Sequence, residues 1–311
     1  MTTHSSPAGS LRKSRRSELA TPASNDWMFE KAAGSRADLV FLDLEDAVAP
    51  ARKVESRALA AKALSELDWG RTVRAIRMNG LDTPWAHGDV VTVMEQAGEA
   101  LDTIIIPKVR TARDVWWVDV LLTQLEHALG RSTRVRLEVL IEEVEALENV
   151  FEIAHASDRL DALIFGAGDY SAAQGARVDD TLTSLTPYEG DLWHYARFRM
   201  AAAARSASLM AVDGPYPNFK SPDGYRQECL RAGTVGFDGK WAIHPTQIEL
   251  ANSIFTPSEA EIARAHRIIE IEAAAASEGL GATSMDGHLV DAANARHARG
   301  ILQRAQEAEI A

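Results

Sequence analysis

Cysteine is nearly missing from this chain: Cys229 stands alone among 311 residues. One thiol cannot close an intrachain disulfide or build a cysteine-based zinc or iron–sulfur cage. There is no run of 18 apolar residues, so no membrane-crossing helix is expected. The polar start, MTTHSSPAGSLRKS, lacks the apolar core of a secretory signal. Positive charge is short as well. Lys and Arg number 33 against 45 Asp and Glu, a formal net charge of -12. General nucleic-acid binding needs basic groups to displace counterions, so that class is disfavoured. No Gly-x-Gly-x-x-Gly turn follows the first β-rich run, which argues against a doubly wound dinucleotide-binding sheet. Apolar residues at 46% and charged residues at 25% are ordinary for a globular chain. The expectation is a reduced, cytoplasmic, soluble protein without nucleic-acid or membrane partners, and an enzyme first among the classes.

What the chain does show is a rhythm. Short β-rich runs at 17–21, 39–44, 73–78, 103–107, 136–141, 162–165, 209–212 and 240–243 alternate with Ala/Leu/Glu-rich stretches at 55–67, 114–129, 144–156, 196–207 and 224–232. Each stretch is long enough to cross back over a sheet. Strands alternating with helices predict an α/β fold of parallel βα units, and eight units suit a (β/α)8 TIM barrel of about 250 residues. Residues 1–14 read as a disordered tail, 15–257 as the catalytic barrel and 258–311 as a C-terminal helical lid and oligomerisation extension. In the extension, Ser258 with Glu261 three residues on forms a capping box for one helix. A Gly-rich joint (EGLGATSMDG) precedes a last helix at 291–308, and such a joint suggests a hinge.

In a barrel of this kind, reacting groups gather at the C-terminal ends of the strands. Those ends carry Asp43, Glu45 and Asp46, then Arg77 and Asn79, Lys108, Glu142 and Glu143, Asp169, Asp213 and His244. The opposite ends show no comparable clustering of charge. Carboxylates without thiols suggest a hard cation, Mg2+ or Mn2+, which takes one or two carboxylates and fills its shell with water and substrate. Glu142 and Asp169 end adjacent strands and so could reach one ion. The small residues of Gly166-Ala167-Gly168-Asp169-Tyr170 would let backbone N–H groups approach an anion.

For several of these residues two readings stand. Asp43, Glu45 and Asp46 either serve the site or cap and brace its loop. Lys108 is a Schiff-base lysine of a metal-free aldolase or an ordinary partner of nearby acids. His244 is catalytic or a hydrogen-bonded core residue. The seven tryptophans suit core and interface better than a substrate cage.

An ordered set of motifs resembles the HpcH/HpaI aldolase and citrate lyase β-subunit superfamily. It comprises RRSELATPASNDWMFEKAA, DLVFLDLEDAVAP, IRMNGLDTPW, IIIPKV, VLIEE, IFGAGDY, AVDGPYPNFK and GFDGKWAIHPTQI. The resemblance runs from about Arg15 to the C-terminus; GLDTPW, DGPY and GKWAIHP are most similar to the malyl-CoA and β-methylmalyl-CoA lyases. It implies metal ligation by Glu142 and Asp169 and an active-site role for Arg77. It also implies contact of Lys31 with the CoA phosphates, with Arg16 as a second basic group for CoA. In the family's lid pattern, Gly287-His288-Leu289-Val290-Asp291, Asp291 would be a catalytic acid/base brought over a neighbouring subunit's site in a homotrimer or homohexamer. Asp43, Glu45, Asp46, Gly168 and Asp213 would surround the substrate or stand behind the residues that touch it. The implied reaction is metal-dependent, reversible Claisen-type cleavage of a 3-hydroxyacyl-CoA to a 2-oxoacid and an acyl-CoA. A malyl-CoA thioesterase, a citrate lyase β-subunit, a pyruvate aldolase and a non-catalytic relative are the competing readings. For Lys31 a surface lysine, and for Asp291 a plain helix cap, are the alternatives.

Overall fold

The structure, a computed structural model, describes residues 14–310. Residues 1–13 of the expected tail lie outside it; Ser14 is buried. The chain divides into two compact units, one of Arg15–Phe255 and one that includes everything described from Thr256 onward.

The larger unit is a closed barrel of eight parallel strands. They are β1 (Ser17–Pro22), β2 (Leu39–Asp43), β3 (Val73–Arg77), β4 (Thr103–Ile106), β5 (Arg136–Ile141), β6 (Leu160–Phe165), β7 (Met210–Asp213) and β8 (Gly239–Ala242). Each pairs with the next in sequence, and β8 closes on β1. The ends differ from the expected ones by one or two residues, where the chain leaves the ladder. Ten helices connect or follow the strands: α1 (Phe29–Ala33), α2 (Lys53–Glu66), α3 (Ala86–Ala97), α4 (Ala112–Leu129), α5 (Val144–Glu148), α6 (Val150–Ala154), α7 (Ala167–Gln174), α8 (His194–Ser206), α9 (Pro222–Thr234) and α10 (Ile248–Phe255).

The period-2 alternation of strand side chains sorts this unit into two cores. Leu39, Phe41, Val73, Ala75, Ile105, Leu140, Ala162, Ile164, Val212 and Trp241 pack together inside the barrel. Their neighbours Val40, Leu42, Ile76, Ile104, Val139, Leu163, Phe165 and Ala211 face the helices. The strands are therefore apolar on both faces, as a parallel sheet covered by helices requires. The same parity carries Asp43, Arg77 and Glu142 inward as each strand runs out of apolar residues.

The N-terminal ends are not bare of charge, contrary to expectation. Glu18 and Glu138 lie inside, fully buried. Arg15 donates to Glu138 at 2.7 Å, and Trp241 Nε1 donates to Glu18 at 2.8 Å. Burial, then the charge of Glu138, holds the Glu18 carboxyl well above the usual carboxylate range. These acids sit mid-pattern in SELAT and RLEVLI rather than in a cluster, which hid them from a reading of strand ends.

The second unit contains α11 (Glu259–Ser277), β9 (Ala282–Met285), β10 (His288–Asp291) and α12 (Ala292–Ile310). Ser258 and Glu261 form the expected capping box. The Gly-rich joint is a β-hairpin of antiparallel β9 and β10. Its turn is Asp286-Gly287, with φ of 52° and 80°, the left-handed pair that Asp-Gly supplies. Among the described residues, no helix is long and apolar enough to cross a membrane.

Candidate active site

At the C-terminal ends of the strands a cavity of about 420 Å³ opens, lined by Asp43, Asp46, Arg77, Glu142, Gly168 and Asp169, with Leu140, Trp241 and Ile243 among its apolar walls. Asp43 and Arg77 are register partners across β2 and β3. They form a buried two-bonded pair, Nε to Oδ1 at 2.8 Å and Nη2 to Oδ2 at 2.6 Å. Arg77 Nη1 also lies 2.8 Å from Glu45 and 3.5 Å from Asp46. Its guanidinium stands 5.5 Å from the Trp241 ring centre, within cation–π range. Burial opposes its charge, but Asp43, then Glu45 and Asp46, raise its pKa above the ordinary value.

Glu142 follows β5 and is buried. Its Oε1 accepts from the Lys108 amide at 2.8 Å. Burial, then the nearby charges of Glu45 and Asp169, push its carboxyl up to about 8. Asp169, in the first turn of α7, is exposed. Gly166, between β6 and α7, is required by space: a Cβ there would lie 2.6 Å from Glu142 Cβ and Oε2. Glu45 is held off the cavity wall between Arg77 and Lys108, whose ammonium is 3.2 Å away.

This donor set fits a hard divalent cation. It is all oxygen, and burial, then the charges of Glu45 and Asp169, raise the pKa of Glu142, a cost that a bound cation would offset. Among the described residues, no group of three or more His, Cys, Asp or Glu is gathered to hold a metal. Glu142 and Asp169 nevertheless line one cavity, and a hard divalent ion can take two carboxylates and complete its shell from water and substrate.

Four sequence candidates lie elsewhere. Arg16 precedes β1, at the opposite end of the barrel, where it clasps Asp38 at 2.6 and 2.9 Å; that place removes it from the cavity and from any CoA site there. Asp213 has the outward parity of β7. It is buried between Arg197 and Lys240, whose charges outweigh burial and lower its pKa. It lines a separate cavity of about 250 Å³. Lys31 is exposed on α1, with its ammonium 5.7 Å from the Trp27 ring centre. Asp291 belongs to the second unit, where Oδ1 accepts from the amides of Ala293 and Asn294 and so caps α12.

His244, left open between two roles, has the outward parity too. It caps the turn after β8 through Thr246 N at 3.3 Å and stacks on Phe219. The sequence reading missed Trp241 as a cavity wall, although its inward parity in GKWA was there to be used. It also missed Lys53, whose buried ammonium donates to the carbonyls of Leu44 and Glu45 at 2.9 and 2.7 Å. That bond braces the β2–α2 loop, and nothing in the local pattern announces it.

The chain is 43% identical over 300 residues to an L-malyl-CoA/beta-methylmalyl-CoA lyase of Cereibacter sphaeroides, covering 94% of each chain. It is 38% identical over 291 residues to a (3S)-malyl-CoA thioesterase of the same species, again with 94% of each covered. Among solved structures, CitE of Mycobacterium tuberculosis in complex with magnesium, acetoacetate and coenzyme A is similar. Its TM-score is 0.74 at 30% identity, with 95% of this chain and 100% of that one covered. The profile of the HpcH/HpaI aldolase/citrate lyase family matches residues 16–245, most of the barrel with Arg77, Glu142 and Asp169 inside the match. The chain therefore belongs to the HpcH/HpaI aldolase/citrate lyase family of carbon–carbon lyases.

Proposed function

We infer that this enzyme is a metal-dependent CoA-ester lyase. It would cleave malyl-CoA, β-methylmalyl-CoA or citramalyl-CoA reversibly to glyoxylate or pyruvate and acetyl-CoA or propionyl-CoA. The observation that carries the reading is one cavity in which Glu142 and Asp169 face Arg77. The lyase relative that spans nearly all of the chain supports it.

Glu142 and Asp169 would hold Mg2+ or Mn2+, which when bound supplies Lewis acidity toward the oxo-acid fragment and a template for it. The chain's own groups do the rest. Arg77, anchored on Asp43 and Glu45, presents its charge to oxygen that becomes negative as the C–C bond breaks. Trp241 and Leu140 keep that wall apolar, which strengthens the interaction. In cleavage the substrate hydroxyl gives up its proton to water in the cavity and becomes the carbonyl of the 2-oxoacid. The C–C bonding pair passes to the α-carbon of the acyl-CoA, and protonated Asp291 gives that carbon its proton. In condensation Asp291 takes the proton back. Lys31 is the candidate for the CoA phosphates. Sharing of Asp291 between copies implies a homotrimer or homohexamer, which sedimentation would count.

The test is a panel of purified hydroxyacyl-CoAs, with and without a chelator. Release of a 2-oxoacid in step with an intact acyl-CoA, abolished by chelation, is the expected result. Free CoA without a 2-oxoacid would instead support the thioesterase reading, which the second relative favours.

A further inference from the structure

Lys108 has no part in that chemistry, yet its backbone is unusual. Of the described non-glycine residues with positive φ, Lys108, at 52°, is the one bonded to Glu142. Left-handed backbone is unfavourable for a residue with a Cβ, and glycine would adopt it freely. A strained conformation persists where its surroundings hold it, and such positions cluster at functional sites. Here both ends of the residue are engaged. The amide donates to Glu142 Oε1 at 2.8 Å. The ammonium lies 3.2 Å from Glu45 Oε1 and 3.9 Å from Asp46 Oδ1. The other oxygen of Glu45 is 2.8 Å from Arg77 Nη1, while Asp43 grips the rest of that guanidinium.

The structure assigns Lys108 as a positioning residue with two separable actions. Its left-handed amide fixes the carboxylate of Glu142, and its ammonium clamps Glu45 so that Arg77 is held from two sides. A lysine stands where glycine would be easier because glycine could perform only the first action. The assignment rests on the proposed metal site for its Mg2+ readout and on the lyase reading for its kinetic one.

Three variants separate the two actions. Lys108→Gly keeps the amide and drops the ammonium. Lys108→Arg keeps a cation. Lys108→Val drops the ammonium and, being β-branched, strongly disfavours the left-handed backbone. In calorimetric titration with Mg2+, glycine should bind within about threefold of wild type and valine about ten- to a hundredfold more weakly, the usual loss when a ligand's orienting partner goes. Equal affinities for glycine and valine overturn the amide's role.

In the cleavage assay, glycine should lose about ten- to a hundredfold in kcat with KM nearly unchanged, and arginine should recover most of it. Wild-type kcat in the glycine variant, or arginine as slow as glycine, overturns the ammonium's role. If valine does not fold, the glycine and arginine variants still decide. If wild type cleaves no hydroxyacyl-CoA, the lyase reading fails by itself. A crystal structure of the glycine variant then decides the clamp: Glu45 swung away from Arg77 upholds it, and an unmoved Glu45 overturns it.

Discussion

Arg77 is where the charge of the cavity converges, and its surroundings set what its loss would do. It ties together Asp43, Glu45 and, more loosely, Asp46, the first two buried. Removing one partner of a buried ion pair strands the other, at about 3–5 kcal/mol. Removing a partner of a developing oxyanion slows a reaction by about 10²–10³. Arg77→Ala should therefore lower both the unfolding temperature and kcat, the latter by about 10²–10³. A variant that unfolds early but turns over normally would reduce Arg77 to a brace. Gly166 gives a cleaner probe of the metal ligands. An alanine methyl there meets both Cβ and Oε2 of Glu142 at 2.6 Å; turning the carboxylate relieves only the second contact, so the backbone that carries Glu142 must shift as well. We expect Gly166→Ala to weaken Mg2+ binding at least tenfold in calorimetry while circular dichroism stays native; unchanged affinity would disconnect Glu142 from the ion.

Strands and helices show how much was readable and why the rest was not. The eight runs and the barrel they make follow from periodicity, and the acids at their ends are plain in the text. What failed was the treatment of every strand end as one list. Asp43, Arg77 and Glu142 share the parity of the inner core, whereas Asp213 and His244 share that of the outer one. The alternation of LVFLD against MAVD could have told them apart. Lys53 and Arg197 were beyond reach, since each folds back from a helix onto partners nearby in the chain, Leu44 and Glu45 for Lys53 and Asp213 for Arg197, and no local pattern marks such a return. The hairpin of β9 and β10 was missed because its strands are four residues each and mostly polar-exposed, although Asp-Gly is a known turn signal. For α12 the cap and the proposed chemistry share one residue. Asparagine caps as well as aspartate but carries no acid. Asp291→Asn should leave stability within about 0.5 kcal/mol yet cut kcat by about 10²–10⁴. If kcat holds, Asp291 is a cap and nothing more.

Within the barrel, floor and mouth are joined by one column of contacts. Glu138 and Glu18 share the interior with Arg15, Glu18 receives the indole N–H of Trp241, and Arg77 lies against that indole at the cavity. Folding takes Glu18 and Glu138 out of water and raises both carboxyl pKa values. An acid whose pKa rises on folding keeps a proton that the unfolded chain releases. This pair's contribution is therefore fully present below the unfolded carboxylate range, about pH 4.3, and is lost as pH climbs through the raised folded values. Glu18→Gln mimics the protonated carboxyl. Its melting temperature should match wild type near pH 5 and exceed it near pH 8, and parallel curves at the two pH values would mean that the pair is ionised throughout.

The alternation along β5 also limits how such an enzyme can change length. Inserting or deleting one amino acid between Arg136 and Ile141 would turn the strand's downstream half over, sending the Glu142 carboxylate among the surrounding helices and a greasy Ile141 into the reaction chamber. Genetic tinkering with size is thereby confined to the connections beyond the staves, such as the 175–193 segment. The staves themselves tolerate replacement of letters and not a change in their number.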